Sequence, residues 1–174
     1  MASLTRRSFV VTAVMSTIGG LAGCLKASDD TSRVGKHAPT WDLRTVDGTK
    51  VGSAEFTAEN KPYVLFFWAT WCTTCQAELR SMKNIYPRFA EKVGFVAIGV
   101  DPTESADLLK QTAESRGYPW LIAPGTTPVL TKFGVIQTST KFAIDREGII
   151  TYEAGYGVGD DATWQKVFER LIAS

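Results

Sequence analysis

The chain alternates between continuously apolar segments and segments whose apolar residues recur every third or fourth position. Two runs, 63–69 (YVLFFWA) and 94–100 (GFVAIGV), are apolar throughout and rich in β-forming residues. They predict strands that are buried on both faces of a sheet. A helix is predicted between them, from about Cys72 to Phe89, with Pro87 kinking or ending it. Its apolar residues keep a helical spacing: Leu79, Met82, Tyr86 and Phe89.

The flanking segments complete an α/β pattern. Asp47-Gly48 lies between two short extended runs and predicts a β-hairpin, followed by a helical turn at SAEF. Residues 103–116 predict a helix that Gly117 stops, and 128–133 a short one. Two strands are expected around the turn at 146–148, and a last helix over about 161–173. The pattern predicts one domain with a central mixed sheet flanked by helices and preceded by an N-terminal β-hairpin.

Residues 1–24 do not follow this pattern. Arg6 and Arg7 precede an apolar run from Phe9 to Leu21, which is shorter than the roughly 20 residues of a membrane-spanning helix. A charged start, a short apolar middle and small residues at the end predict an export signal. The segment around the two arginines resembles the twin-arginine export motif.

The export signal ends at LAGC, residues 21–24, which resembles a lipobox. The resemblance implies cleavage before Cys24 and a lipid on that cysteine, which would hold the protein on the extracytoplasmic face of the cell membrane. The alternative is an ordinary signal peptide with an incidental cysteine. Residues 25–36 are polar and without periodicity, so we expect a flexible tether ahead of a domain at 37–174.

The composition argues against some classes of function but does not assign one. The 174 residues are 44% hydrophobic and 21% charged, as in soluble globular proteins. Lys and Arg number 19 against 18 Asp and Glu, so nothing indicates a nucleic-acid partner. The only histidine is His37, which argues against a histidine-based metal or catalytic cluster.

Cys72 and Cys75 carry the candidate chemistry, because they lie two residues apart at the predicted start of a helix. The free N–H groups and the dipole there favour the thiolate of Cys72. Cys72 is therefore expected to be the attacking, partly exposed thiol, and Cys75, one turn further and facing the core, the resolving thiol. Two alternatives remain: a structural disulfide, and half of a metal or iron–sulfur site shared across a dimer.

Three segments, PYVLFFWATWCTTCQAEL, GFVAIGVD and FAIDREGIITYEAGYG, resemble the membrane-anchored thioredoxin-like oxidoreductases of the TlpA/ResA type. The resemblance extends over residues 35–174. It implies a thioredoxin-like fold and an enzyme without a cofactor that reduces disulfides of exported proteins, apocytochrome c among them. It also implies that a membrane electron donor re-reduces the enzyme.

The same resemblance implies roles for residues around the pair. Glu78 occupies the position of a family glutamate that moves a proton to and from Cys75; the alternative is an ordinary exposed helix carboxylate. Trp71 is expected to be contact surface for partners and Trp68 to lie in the core. Asp101 follows a predicted strand and is a candidate cap for the next helix.

Two positions depart from the family pattern. Thr74 stands where proline is common, which restores an N–H donor in the first helical turn. Ser139 stands where the family has a cis-proline opposite the active site. Because a cis bond before a non-proline residue costs about 3–4 kcal/mol, we expect Thr138–Ser139 to be trans. The substrate-docking loop at Thr138 and Ser139 is then expected to differ from that of the family.

The same residues bear on three other functions. A peroxiredoxin-like peroxidase needs Pro and Thr arranged around its reactive cysteine, and ATWC lacks that spacing. A copper chaperone lacks the usual partner histidine, since His37 lies in the first turn of the domain. A dimeric metal-binding or iron–sulfur protein remains open, and metal content and visible absorbance would identify it.

Overall fold

The structure is a computed structural model that describes residues 32–157 and 159–174. The predicted export signal, Cys24 and most of the predicted tether lie outside these residues. None of the helices in the described part of the chain has the length and apolar content required to cross a bilayer.

Seven strands and five α-helices make up the described domain. In chain order they are β1 (Asp42–Arg44), β2 (Lys50–Gly52), α1 (Ser53–Ala58), β3 (Tyr63–Trp68), α2 (Thr73–Ile85), β4 (Gly94–Gly99), α3 (Ala106–Arg116), β5 (Leu121–Pro124), α4 (Thr127–Lys132), β6 (Thr140–Ile144), β7 (Ile150–Ala154) and α5 (Asp161–Ala173).

Five strands form one mixed sheet in the order β5-β4-β3-β6-β7. Strands β3, β4 and β5 run parallel, whereas β6 is antiparallel to both β3 and β7. Strands β1 and β2 form a separate antiparallel hairpin. This is the predicted arrangement of a mixed sheet with an N-terminal hairpin.

The central strand β3 is buried along its whole length, as its unbroken apolar run predicts. Its side chains alternate between two cores, one on each face of the sheet. Val64, Phe66 and Trp68 pack in the core that includes residues of α2, α3 and α5. Leu65 and Phe67 pack in the core beneath the hairpin, α1 and α4. Trp68 is a core residue, as predicted.

Most predicted elements are present with small changes at their ends. Helix α2 ends at Ile85 and a 3₁₀ turn follows over Tyr86–Arg88, because Pro87 cannot continue the α-helix. Gly117 ends α3 in the left-handed conformation, as its position predicts. Strand β5 was not predicted, since its run LIAP is short and ends at a proline.

The domain's hydrogen bonding begins before residue 37. Gly35 N–H donates to the carbonyl of Ile150, and Ile150 N–H donates to the carbonyl of Lys36. His37 forms an isolated bridge with Ile149. The sequence pattern placed Gly35 and Lys36 in the tether, but both are hydrogen-bonded to the start of β7.

The turn from β3 into α2 is fixed by the loop that follows β4. The Glu104 carboxylate accepts from the backbone N–H of Thr70 at 2.8 Å and also from the Thr70 hydroxyl. The Thr70 carbonyl accepts from the Gln76 side chain at 2.6 Å. Thr70, just before the cysteine pair, is therefore held both by the loop after β4 and by the start of α2.

This arrangement makes Glu104 a stabilising residue. We expect Glu104→Ala to lower the free energy of unfolding by about 1–3 kcal/mol, because a partly buried N–H and a hydroxyl lose a charged acceptor. Glu114→Ala is the matched control, since Glu114 is exposed on α3. Urea unfolding of both variants measures the difference, and equal losses would contradict this role.

Candidate active site

Cys72 and Cys75 are joined by a disulfide at the N-terminal end of α2. Cys72 is the N-cap residue of the helix, and its Sγ accepts a hydrogen bond from Cys75 N–H at 3.1 Å. The Cα atoms are 5.2 Å apart, within the ordinary range for a disulfide. The pair therefore lies where helix N–H groups and the helix dipole stabilise a thiolate on reduction.

The two sulfur-bearing residues differ less in exposure than the sequence suggested. Cys72 was expected to be partly exposed, but 3% of it is accessible in the disulfide form, against 0% for Cys75. Its sulfur is bonded inward to Cys75, which accounts for the small value. Cys72 is still the more accessible of the two residues, as expected.

Trp71 forms an exposed surface beside the disulfide. The side chain is 62% accessible, and its Nε1 donates to the Asp101 carboxylate at 2.7 Å. Asp101 also accepts from the hydroxyl and the backbone N–H of Thr103. The hydrogen bonds from Thr103, and then the bond from Trp71, lower the pKa of Asp101. The carboxylate that orients the indole is therefore ionised.

The suggestion that Asp101 caps the next helix is wrong. The N-cap residue of α3 is Ser105, whose hydroxyl accepts from Leu108 N–H at 3.1 Å. Asp101 lies earlier in the loop, and its carboxylate is occupied by Thr103 and Trp71.

Glu78 is buried and is part of an ion pair, so it is not an exposed helix carboxylate. It is 4% accessible. The Lys141 ammonium donates to Oε1 at 2.7 Å and to Oε2 at 2.6 Å. The Ser139 hydroxyl donates to Oε1 at 2.6 Å. One turn beyond Cys75, α2 is therefore linked to the start of β6 through charge-assisted hydrogen bonds.

Ser139 has a geometry that differs from the family's cis-proline. Among the described residues no peptide bond is cis, which confirms the trans prediction for Thr138–Ser139. Ser139 has a φ of 61°, and its N–H donates to the Phe67 carbonyl at 2.7 Å. A left-handed conformation costs a non-glycine residue roughly 1–2 kcal/mol. The bonds to Phe67 and Glu78 offset that strain.

The predicted substrate-binding residues do not all lie on one surface. Trp71 and Thr138 line the same groove of about 600 Å³, whereas the Ser139 side chain is buried and directed to Glu78. Exposed apolar side chains extend this groove. Its lining residues are Trp71, Val100, Asp101, Pro102, Leu130, Val135, Ile136, Gln137, Thr138 and Tyr156.

Sequence reasoning missed two contributors to the site. Lys141 was not singled out, although a lysine near the start of a strand that continues as Phe-Ala-Ile is a usable signal. Tyr156 was also missed; its hydroxyl bonds to that of Thr74 at 2.7 Å and links α2 to the loop after β7. No sequence pattern indicates that second contact.

Within residues 32–157 and 159–174 no group of three or more His, Cys, Asp or Glu is arranged to hold a metal ion.

Comparison with known proteins identifies the family of the chain. The sequence profile of the AhpC/TSA family matches residues 34–153. The thiol-disulfide oxidoreductase ResA of Bacillus cereus is 32% identical over 130 residues, which cover 73% of this chain and 72% of that protein. The thiol:disulfide interchange protein DsbE of Vibrio cholerae is 30% identical over 162 residues, covering 84% and 83%.

Solved structures show the same fold. The thioredoxin domain of a thiol-disulfide oxidoreductase from Bacteroides vulgatus superposes with a TM-score of 0.67 at 20% identity, over 79% of this chain and 97% of that one. A thiol:disulfide interchange protein of the thioredoxin family from Chlorobium tepidum gives 0.66 at 27% identity, over 81% and 98%. The predicted thioredoxin-like fold is confirmed. With the profile match and the ResA similarity, the chain belongs to the AhpC/TSA family and to the ResA-type thiol–disulfide oxidoreductases.

Proposed function

We propose that this oxidoreductase works outside the cytoplasm and reduces disulfides of exported proteins through Cys72 and Cys75. The observation that carries the proposal is the disulfide at the first turn of α2, with Cys72 as the N-cap residue. A bridge across so short a loop adds little stability, so a structural role does not account for it. Apocytochrome c, which the family resemblance implies, is the first substrate to test.

The reaction runs in two exchange steps. In the reduced enzyme the Cys72 thiolate attacks one sulfur of the substrate disulfide, forming a mixed disulfide and releasing the first substrate thiolate, which takes a proton from water. Cys75 then loses its proton and attacks Cys72 Sγ. The mixed disulfide breaks and the second substrate sulfur leaves as a thiolate, which takes a proton from water. Two electrons pass to the substrate, and the enzyme ends in the disulfide form.

Glu78 is the proposed acceptor of the Cys75 proton. It lies one turn along α2 from Cys75, on the buried side of the helix. Water does not have free access to Cys75, which is fully buried, so a nearby carboxylate is the practical base for the second step. In the reverse direction the same group would return the proton to the leaving Cys75 sulfur.

The substrate is proposed to dock in the groove between Trp71 and Tyr156. Trp71 is oriented by Asp101, and Ile136, which also lines the groove, is 95% accessible. An extended segment carrying apolar side chains fits such a groove, because aromatic and aliphatic anchors supply most of the affinity at small interfaces.

The extracytoplasmic setting is supported by the pattern of residues 1–24, with a lipid on Cys24 as the proposed anchor. A disulfide-exchanging pair is useful in an oxidising compartment. A membrane electron donor is then needed to return Cys72 and Cys75 to the dithiol state after each turnover.

The two single-cysteine variants should behave differently. In Cys75→Ser the Cys72 thiolate still attacks but cannot be resolved, so most of the protein should accumulate as a mixed disulfide that a small thiol releases. Cys72→Ser should trap almost nothing, because Cys75 lies inside α2, away from the N-cap position where helix N–H groups stabilise a thiolate, and is fully buried. Non-reducing gels and mass spectrometry of both variants measure this. Equal trapping, or trapping through Cys75 alone, is incompatible with the proposal.

Replacing Glu78 should affect the second step selectively. In Glu78→Gln, resolution should slow on the order of 100-fold, because the proton acceptor is lost, while the attack by Cys72 changes little. A chromogenic aromatic disulfide, which releases a coloured thiolate at each step, separates the two rates. The exposed Glu91→Gln is the control, and slowing of attack and resolution by the same factor would remove Glu78 from the proposed role.

A further inference from the structure

Lys141 is a fully buried lysine on the second strand from the edge of the sheet. It lies in β6, where it pairs with Phe66 of β3 on one side and with Ala154 of β7 on the other. None of the residue is accessible to solvent. Its position faces α2, because side chains alternate along β6 and both neighbours of Lys141 in that strand belong to the opposite face.

The ammonium is directed at the proposed proton acceptor. Besides both oxygens of Glu78, it reaches the Ser139 hydroxyl at 3.2 Å and lies 5.5 Å from the centre of the Phe66 ring. Burial lowers the pKa of Lys141, and the hydrogen bonds and charge of Glu78 oppose that decrease. The cation is tolerated inside the protein because the carboxylate is within hydrogen-bond distance.

A cleft gives this pair a path to water. It measures about 480 Å³ and Glu78 forms part of its wall, with Thr74, Ala77 and Ser81 from α2 and Gly157, Gly159, Asp160 and Thr163 from the loop and helix opposite. The backbone of Gly159 lies against Glu78: a Cβ there would lie 2.8 Å from Oε2 and 2.8 Å from Trp164 Nε1. Glu78 can therefore exchange protons with the cleft.

We propose that Lys141 is a positioning residue of the exchange reaction, which keeps Glu78 ionised and aimed so that it can take the Cys75 proton. The inference rests on the proposed role of Glu78. An opposite charge at hydrogen-bond distance favours the carboxylate, whereas burial without it would favour the neutral acid, which cannot accept a proton.

The proton balance of the second step shows what Lys141 contributes. The proton moves from Cys75 Sγ to Glu78, and the negative charge moves from the carboxylate to sulfur. The Lys141 cation keeps its proton and remains beside the new acid. The sulfur then bonds to Cys72 Sγ and the substrate thiolate carries the charge away, after which Glu78 releases its proton to the cleft.

Other titratable groups near the pair do not change charge in the relevant range. Tyr152 on β7 has a pKa raised by burial and then by the Glu78 charge, so it stays neutral. Asp160, which lines the cleft at the start of α5, has a pKa lowered by its bonds to Thr163, so it stays ionised. The wall from β3 is the Phe66 ring, which does not titrate.

The test is the pH profile of the resolving step in Lys141→Met, measured with the chromogenic disulfide between about pH 5 and 9. We expect the midpoint of the profile to rise by about one pH unit or more, so that resolution below both midpoints slows roughly tenfold or more, with attack unchanged. Should Lys141→Met fail to fold, Lys141→Gln, which keeps a donor and loses the charge, takes its place in the same measurement.

Two controls separate this role from a structural one. Lys166→Met removes an exposed lysine from α5 and should leave the midpoint where it is. In a Glu78→Gln background, Lys141→Met should no longer affect resolution, because its effect passes through that carboxylate.

The outcomes distinguish this inference from the proposed function. Three results would overturn the positioning role and leave Glu78 as the acceptor. They are an unchanged midpoint in the Lys141 variant, an equal shift in Lys166→Met, and the same loss of resolution rate in the Glu78→Gln background. Normal resolution in Glu78→Gln alone overturns the role of Glu78, and that of Lys141 with it.

Discussion

A lysine ammonium removed from water has to be paired, and in this domain that requirement links the active-site helix to the sheet. Lys141 enters the core from β6, and Glu78 meets it from α2 with both carboxylate oxygens. Ser139 completes the cluster from the turn before β6. Loss of one partner from such a pair typically costs about 3–5 kcal/mol, because the remaining charge stays buried. The charge pair therefore fixes the orientation of Glu78 one turn from Cys75.

The second constraint is the junction between β3 and α2. The buried strand ends at Trp68, and the helix begins at Thr73 with Cys72 as its cap. Glu104 holds Thr70 from the side, and Asp101 orients Trp71. The loop after β4 thus supplies both carboxylates that shape the approach to the disulfide. In the proposed reaction the helix terminus makes Cys72 reactive, and the groove beside Trp71 is the proposed contact surface for the substrate.

Sequence reasoning works well here where local chemistry decides the structure. The buried strand β3, the stop at Gly117 and the helix that starts at the Cys-x-x-Cys motif each depend on neighbouring residues, and each is found as predicted. It fails where residues distant in the chain meet. The link between Glu78 and Lys141 spans 63 positions, and that between Thr74 and Tyr156 spans 82. Replacement of the family's proline by Ser139 was visible, but not that its side chain would bond to Glu78.

The central claim is that Cys72 and Cys75 form a redox pair that donates electrons to other proteins. The reduction potential of this disulfide, measured by equilibration with glutathione or dithiothreitol buffers, tests that claim most directly. The account predicts a value near that of thioredoxin, about −270 mV, at which the dithiol reduces most exposed disulfides. A value near about −120 mV would make the protein an oxidant and would contradict the direction of electron flow proposed here.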